Sequence, residues 1–146
     1  MKKHFSILLF IAFVATLSGC GDGALKTYPV TGTVTYQGQP LAGATINFFP
    51  KVAGQGDAGT GQTDSRGFYQ LQTMQGRVNA GTTPGEYYVM ISKIEIVGAG
   101  TFIYYDDGTR VEDQRSVSLI PERYSTPEGG LTATVTQGRN EFNFDL

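Results

Sequence analysis

The chain has 146 residues, of which 16% are charged, and its formal net charge is −2 at pH 7. Its 20 Gly, 6 Pro, 12% aromatic residues and lack of Trp are typical of a single turn-rich β domain and argue against a helical protein. No run of Lys or Arg follows the first few residues, so nucleic acid is excluded as a partner.

The first twenty residues have the pattern of an export signal. Two lysines precede an apolar stretch at 5–14, which is shorter than the ~20 residues that a membrane span requires. The tetrapeptide LSGC at 17–20 then resembles the lipobox of bacterial lipoproteins. The resemblance implies a signal peptide at 1–19, cleavage between Gly19 and Cys20, and lipidation of Cys20 with acyl chains such as palmitate.

Cys20 is the only cysteine, so an exported protein of this sequence forms no internal disulfide and keeps one thiol that needs an explanation. Lipidation explains that thiol, and two or three acyl chains give stable anchoring. We therefore expect residues 20–27 to be a lipidated tether and residues 28–146 to be the folded domain. The expected location is the bacterial cell envelope, on the inner or outer membrane, facing the periplasm or the exterior.

Alternation of apolar and polar residues predicts strands from residue 28 onward. The runs at 30–36 and 44–49, separated by a turn at 37–40, predict an opening β-hairpin. Further strands are predicted at 68–71, 86–93, 131–136 and 142–146. About seven short strands without any 3.6-residue periodicity predict an all-β fold, a single antiparallel Greek-key β-sandwich.

The alternation also predicts which side chains face the core. The expected inward residues are Val30, Gly32, Val34, Tyr36, Ala44, Ile46, Phe48, Tyr69, Leu71, Tyr87, Val89 and Ile91. Asp64 and Gly67 bracket a predicted four-residue turn in which the carboxylate accepts a backbone N–H two residues further on. The hydroxyl of Tyr124 is predicted to bond to backbone at a corner of the sandwich.

The segment at about 95–120 is less regular and predicts an insertion into the sandwich. Within it, residues 101–111 predict a small hairpin that turns at an Asp-Asp-Gly sequence. Four nearby carboxylates could offer oxygen ligands to Ca²⁺, and they are Asp106, Asp107, Glu112 and Asp113. Their spacing matches no EF-hand loop, and a solvated hairpin tip in which acidic residues and Gly make the turn explains them better, so no metal site is predicted.

Exposed tyrosines are the candidate ligand-binding residues. Tyr88, Tyr104 and Tyr105 could form an aromatic platform for polysaccharide or peptide. Neighbouring residues of a strand point to opposite faces, so we expect only one member of each adjacent tyrosine pair to be exposed.

Four segments in this order resemble the bacterial carboxypeptidase regulatory-like domains, which have a transthyretin-like sandwich. They are VTGTVTYQGQPLAGATINFFP at 30–50, TDSRGFYQLQT at 63–73, TTPGEYYVMISK at 82–93 and IPERYSTPEGGLTATVTQGRNEFNFDL at 120–146. Nearly all of the matching positions are turn glycines, prolines and inward apolar residues, which the fold requires and which perform no chemistry. The resemblance implies a non-catalytic domain.

Catalysis and cofactor binding lack the necessary residues. The one histidine, His4, is removed with the predicted signal, and Cys20 is acylated on this interpretation. Histidine-dependent activities of related transthyretin-like enzymes therefore do not carry over, and no cofactor is expected. We expect an anchored structural or interaction module of the cell envelope, and its candidate partners are an envelope protein and a polysaccharide. A carbohydrate- or peptide-binding module that uses the tyrosines and the 95–120 insertion is the alternative.

Overall fold

The computed structural model describes residues 26–73, 80–98 and 100–146, so Gly19 and Cys20 lie outside the described residues. In chain order the strands are β1 (Val30–Tyr36), β2 (Gln39–Pro40), β3 (Thr45–Pro50), β4 (Gly59–Gln62), β5 (Phe68–Gln70), β6 (Gln72–Thr73), β7 (Gly85–Ser92), β8 (Ile94–Val97), β9 (Phe102–Tyr104), β10 (Arg110–Glu112), β11 (Arg115–Ser118), β12 (Thr132–Val135), β13 (Asn140–Glu141) and β14 (Phe144–Asp145). Two short 3₁₀ helices, Glu122–Ser125 and Pro127–Gly129, precede β12. No helix in this part of the chain is long and apolar enough to cross a membrane.

Ten strands form two five-stranded sheets that pack face to face, which confirms the predicted all-β sandwich. In the first sheet β1 is central, and it pairs antiparallel with β2 and β5. In the second sheet the order is β12-β7-β3-β4-β6, and each pair is antiparallel. The pairs of β1 with β13 and β14 are parallel, so the first sheet is mixed and not purely antiparallel.

The predicted opening hairpin is wrong. The turn at Gln37 and Gly38 forms, but it joins β1 to the two-residue β2. The Leu41 N–H still donates to the Val34 carbonyl over 2.9 Å, and the chain then crosses to the second sheet, where β3 pairs with β4 and β7. Alternation shows which face of each run is apolar, but not whether two runs pair or face each other across a core.

The core lies between the two sheets and contains the inward residues that the alternation predicted, except that Tyr36 is only partly buried. Phe48 of β3 is fully buried, and its ring lies 6.0 Å from that of Tyr87 in its own sheet. Its ring also lies 6.0 Å from Phe142 and 6.5 Å from Phe144, which belong to the facing sheet. Phe48 therefore joins the two layers.

Buried tyrosine hydroxyls bond to backbone at two places that the sequence did not indicate. The Tyr69 hydroxyl donates to the carbonyl oxygen of Phe142 over 2.8 Å, and the Tyr87 hydroxyl donates to that of Thr83 over 2.8 Å. Burial raises the pKa of Tyr69. The prediction for Tyr124 is wrong, because its hydroxyl accepts from the Arg123 guanidinium over 2.8 Å.

The turn predicted at Asp64 is confirmed. Its Oδ1 accepts the backbone N–H of Arg66 over 2.8 Å and that of Phe68 over 2.9 Å, and Gly67 has a φ of 74°. These two backbone bonds lower the pKa of Asp64 from its ordinary value of 3.8. Their contribution to stability is present above pH 3.8 and is lost as the pH falls through the lower pKa of the folded state.

Candidate functional site: a protruding β arm

Residues 94–119 form a long hairpin, here called the arm, that stands outside both sheets. Strand β8 pairs antiparallel with β11, and β9 pairs antiparallel with β10. At the tip, the Gly108 N–H donates to the Tyr105 carbonyl over 3.0 Å, and the Tyr105 N–H donates to the Thr109 carbonyl over 3.0 Å. The hairpin predicted at the Asp-Gly sequence is therefore confirmed.

A bend separates the two ladders of the arm. Val97 pairs with Arg115 and Phe102 pairs with Glu112, so one side of the arm holds two more residues than the other. Gly98 has a φ of 81°, and a side chain there would overlap the carbonyl oxygen of Asp113. Glycine at 98 thus permits the close contact that fixes the bend.

The arm carries most of the exposed apolar surface. Of the thirteen large apolar side chains that are exposed in the described residues, ten lie in the arm. They are Ile94, Ile96, Val97, Phe102, Ile103, Tyr104, Tyr105, Val111, Val117 and Leu119. Single exposed apolar residues are ordinary on protein surfaces, but these ten all lie within one segment, residues 94–119.

The arm leaves the sandwich at the end opposite to the start of the domain. Tyr28, near that start, bonds to Thr82 just before β7, and these residues mark the N-terminal pole. The eight residues of β7 then run roughly 26 Å to Ser92 at the other end. The arm begins two residues later, at what we call the arm pole.

The three candidate tyrosines do not form one platform. Tyr88 is 36% exposed on the outer face of the second sheet, with the Lys51 Nζ 5.7 Å from its ring centroid. Tyr104 and Tyr105 are 72% and 53% exposed at the arm tip. The expectation that one of each adjacent pair is buried holds for Tyr87 and Tyr88. It is wrong for the arm, because no core covers either face there.

The four candidate carboxylates belong to the arm but do not converge. Asp107 accepts the Thr109 N–H over 2.9 Å, and bonds to Thr109 lower the pKa of Asp107. Glu112 accepts the Gly100 N–H over 2.9 Å, while Asp113 pairs with Arg115 over 2.8 Å. Asp106 is exposed in the turn itself. Within the described ranges, no group of three or more His, Cys, Asp or Glu is arranged to hold a metal ion.

A second candidate site is an open cleft of about 660 Å³ at the N-terminal pole. It is lined by Lys26, Tyr28, Val52, Gln55, Gly56, Thr83, Pro84, Gly85, Glu86 and Gln137. Thr83 Oγ1 accepts the Asp57 N–H over 3.0 Å and lies 2.9 Å from the Tyr87 hydroxyl, so its hydroxyl is used in holding the loops together. Among the described residues that line the cleft, Lys26 and Glu86 are the charged ones.

Comparison with known proteins places the chain in no family. No family model matches it. No curated protein matches it either.

Three solved structures have a partial likeness. A 9R-lipoxygenase from Cyanothece shares 16% identity, with a TM-score of 0.39 over 83% of this chain and 16% of that one. A DUF3823 family protein from Parabacteroides merdae shares 18% identity, with a TM-score of 0.38 over 83% of this chain and 46% of that one. Chlorocatechol 1,2-dioxygenase from Pseudomonas putida shares 18% identity, with a TM-score of 0.35 over 86% of this chain and 60% of that one. This chain spans less than two thirds of each, and likeness at this level carries no inference about activity.

Proposed function

We propose that this protein is a lipid-anchored, non-catalytic β-sandwich of the bacterial cell envelope, and that the arm is its contact surface for another macromolecule. On this proposal the domain is of the carboxypeptidase regulatory-like type and Cys20 is its lipid anchor. The observation that carries the proposal is the concentration of exposed apolar side chains in the arm. Water contact with such a surface is unfavourable, and a partner that covers it gains binding free energy.

The position of the anchor relative to the arm supports this arrangement. Residues 20–27 span at most roughly 25 Å when extended, so an acylated Cys20 keeps the N-terminal pole close to the bilayer. The arm is attached at the opposite pole, beyond the length of β7. An anchored sandwich therefore holds the base of the arm away from its own membrane.

A second candidate, polysaccharide binding, is favoured by one observation. Tyr104 and Tyr105 are both well exposed at the tip, and aromatic rings are suitable surfaces for stacking. On this alternative the arm remains the site, and the partner is a glycan chain instead of a protein.

Excision of the arm tests both candidates. The Leu119 N–H donates to the Lys93 carbonyl over 2.8 Å, so the two strands already meet there and an Asn-Gly turn can join them. We expect the excised protein to keep the melting temperature of the sandwich and to lose binding to envelope proteins, or to cell-wall sacculi. Affinity capture and co-sedimentation with the native envelope measure this, with Tyr88→Ala as the matched control outside the arm. Equal binding by the excised and complete chains would contradict the proposal.

A further inference from the structure

We propose that the arm binds a second copy of this chain, and that the two copies join β10 to β10 as an antiparallel, four-stranded sheet. This inference rests on the proposed function, because it names the occupant of the same surface. The observation that carries it is the order of charges along β10.

The outer edge of β10 is free to pair. Strand β10 bonds to β9 on one side, and no strand of the described residues lies on its other side. Arg110 and Glu112 are exposed, and Val111 between them is 53% exposed. An edge strand with unpaired backbone N–H and C=O groups is a template for another strand.

The sequence of β10 selects one symmetric register. In a two-fold antiparallel pair centred on Val111, Arg110 of each copy lies opposite Glu112 of the other, so both cross-strand pairs are attractive. A pair centred on Arg110 would instead place two arginines opposite each other, and one centred on Glu112 would place two glutamates together. Charge complementarity therefore favours the register at Val111 over its neighbours.

Charges on an edge strand usually prevent such pairing, because copies of the same strand repel each other. That protection requires like charges to meet. On β10 the opposite signs flank a central apolar residue, so the copies attract each other in the symmetric register. The charges of β10 thus favour self-pairing instead of blocking it.

The two faces of the arm are compatible with this sheet. Arg110 shares a face with Phe102, and its guanidinium carbon lies 4.4 Å from that ring centroid, which holds the arginine along the sheet surface. On the other face Ile103 lies directly opposite Val111. Pairing would align Ile103 and Val111 of both copies as a row of four apolar side chains without a charge between them.

Anchoring to one membrane strengthens the contact. A strand of three residues buries little surface, so the pair is weak between freely diffusing molecules. Two chains anchored to the same bilayer hold their arms at a similar height, and the raised effective concentration offsets the small contact area.

Reversal of the charges tests the inference in the complete chain. Two copies with different C-terminal affinity tags are co-expressed, extracted in mild detergent and captured through one tag, and the amount of the second tag is measured. We expect the unaltered chain to capture itself. Arg110→Glu under both tags, or Glu112→Arg under both tags, opposes like charges at both pairs and lowers self-capture about tenfold. Arg110→Glu co-expressed with Glu112→Arg makes both pairs attractive again and restores capture.

Co-expression of the two variants distinguishes a loss of pairing from a loss of folding. An arm that fails to fold would not be rescued by a second altered arm. Arg139→Glu and Glu128→Arg, on the exposed surface of the sandwich, make the same changes of net charge and should leave capture unchanged. No self-capture by the unaltered chain overturns the inference, and so does a mixed pair that captures no better than either variant alone. Should self-capture fail while arm excision still removes binding to another envelope component, the inference is wrong and the proposed function stands.

Discussion

Replacement of Phe48 by alanine is expected to lower the free energy of unfolding by about 3–5 kcal/mol. The ring is fully buried and lies 6.0–6.5 Å from three other rings, two of them in the facing sheet. Its removal leaves a cavity that spans both layers, which neither sheet can close without shifting against the other. Urea denaturation of the complete chain, followed by circular dichroism, measures the loss.

Phe68 provides the matched control for this substitution. It is also a strand phenylalanine, but it is 39% exposed on the outer face of β5. Phe68→Ala should cost less than about 1 kcal/mol. Similar losses at the two positions would mean that the two sheets do not share a packed core at Phe48.

Replacement of Gly32 by alanine is the second change with a large expected effect. The added Cβ would overlap the carbonyl oxygen of Phe142 and lie 2.6 Å from its carbonyl carbon. Phe142 is held at this place by its N–H bond to the Thr31 carbonyl, 2.9 Å long, and by the Tyr69 hydroxyl. The C-terminal segment around Phe142 must therefore move away from β1. We expect the free energy of unfolding to fall by about 3 kcal/mol.

Gly108→Ala separates this steric effect from the general cost of losing a glycine. Gly108 has a φ of 83° at the arm tip, and no atom lies within 4 Å of the position its Cβ would occupy. Its replacement should cost about 1 kcal/mol, from backbone strain alone. A thermal melt in which Gly32→Ala is no worse than Gly108→Ala would contradict the parallel pairing of β1 with the C-terminal strands.

The sequence predicted which face of each strand is buried, because burial on one face requires period-two alternation. The runs that contain Val34, Phe48 and Val89 show this directly. The Asp64 turn could also be predicted, since a carboxylate that caps its own backbone is a local device. Each of these signals is carried by residues that are close neighbours along the chain.

The features that the sequence did not predict depend on contacts between distant segments. The pairing of β1 with β13 joins residues about 110 positions apart, and alternation carries no information on such partners. Tyr69 and Tyr87 show only an apolar pattern in sequence, while their hydroxyl partners come from the tertiary fold. Likewise, both Tyr104 and Tyr105 are exposed because the arm leaves the core, which strand periodicity alone cannot show.

The placement of the base of the arm away from the membrane depends on the attachment of the chain through Cys20. The most direct measurement is metabolic labelling of the complete protein with an alkyne fatty acid, followed by purification and detection of the label. Because Cys20 is the only cysteine, the label should be incorporated by the unaltered chain and be absent from Cys20→Ala. An unaltered chain without label, or a Cys20→Ala variant that carries as much label, would contradict the lipid anchor.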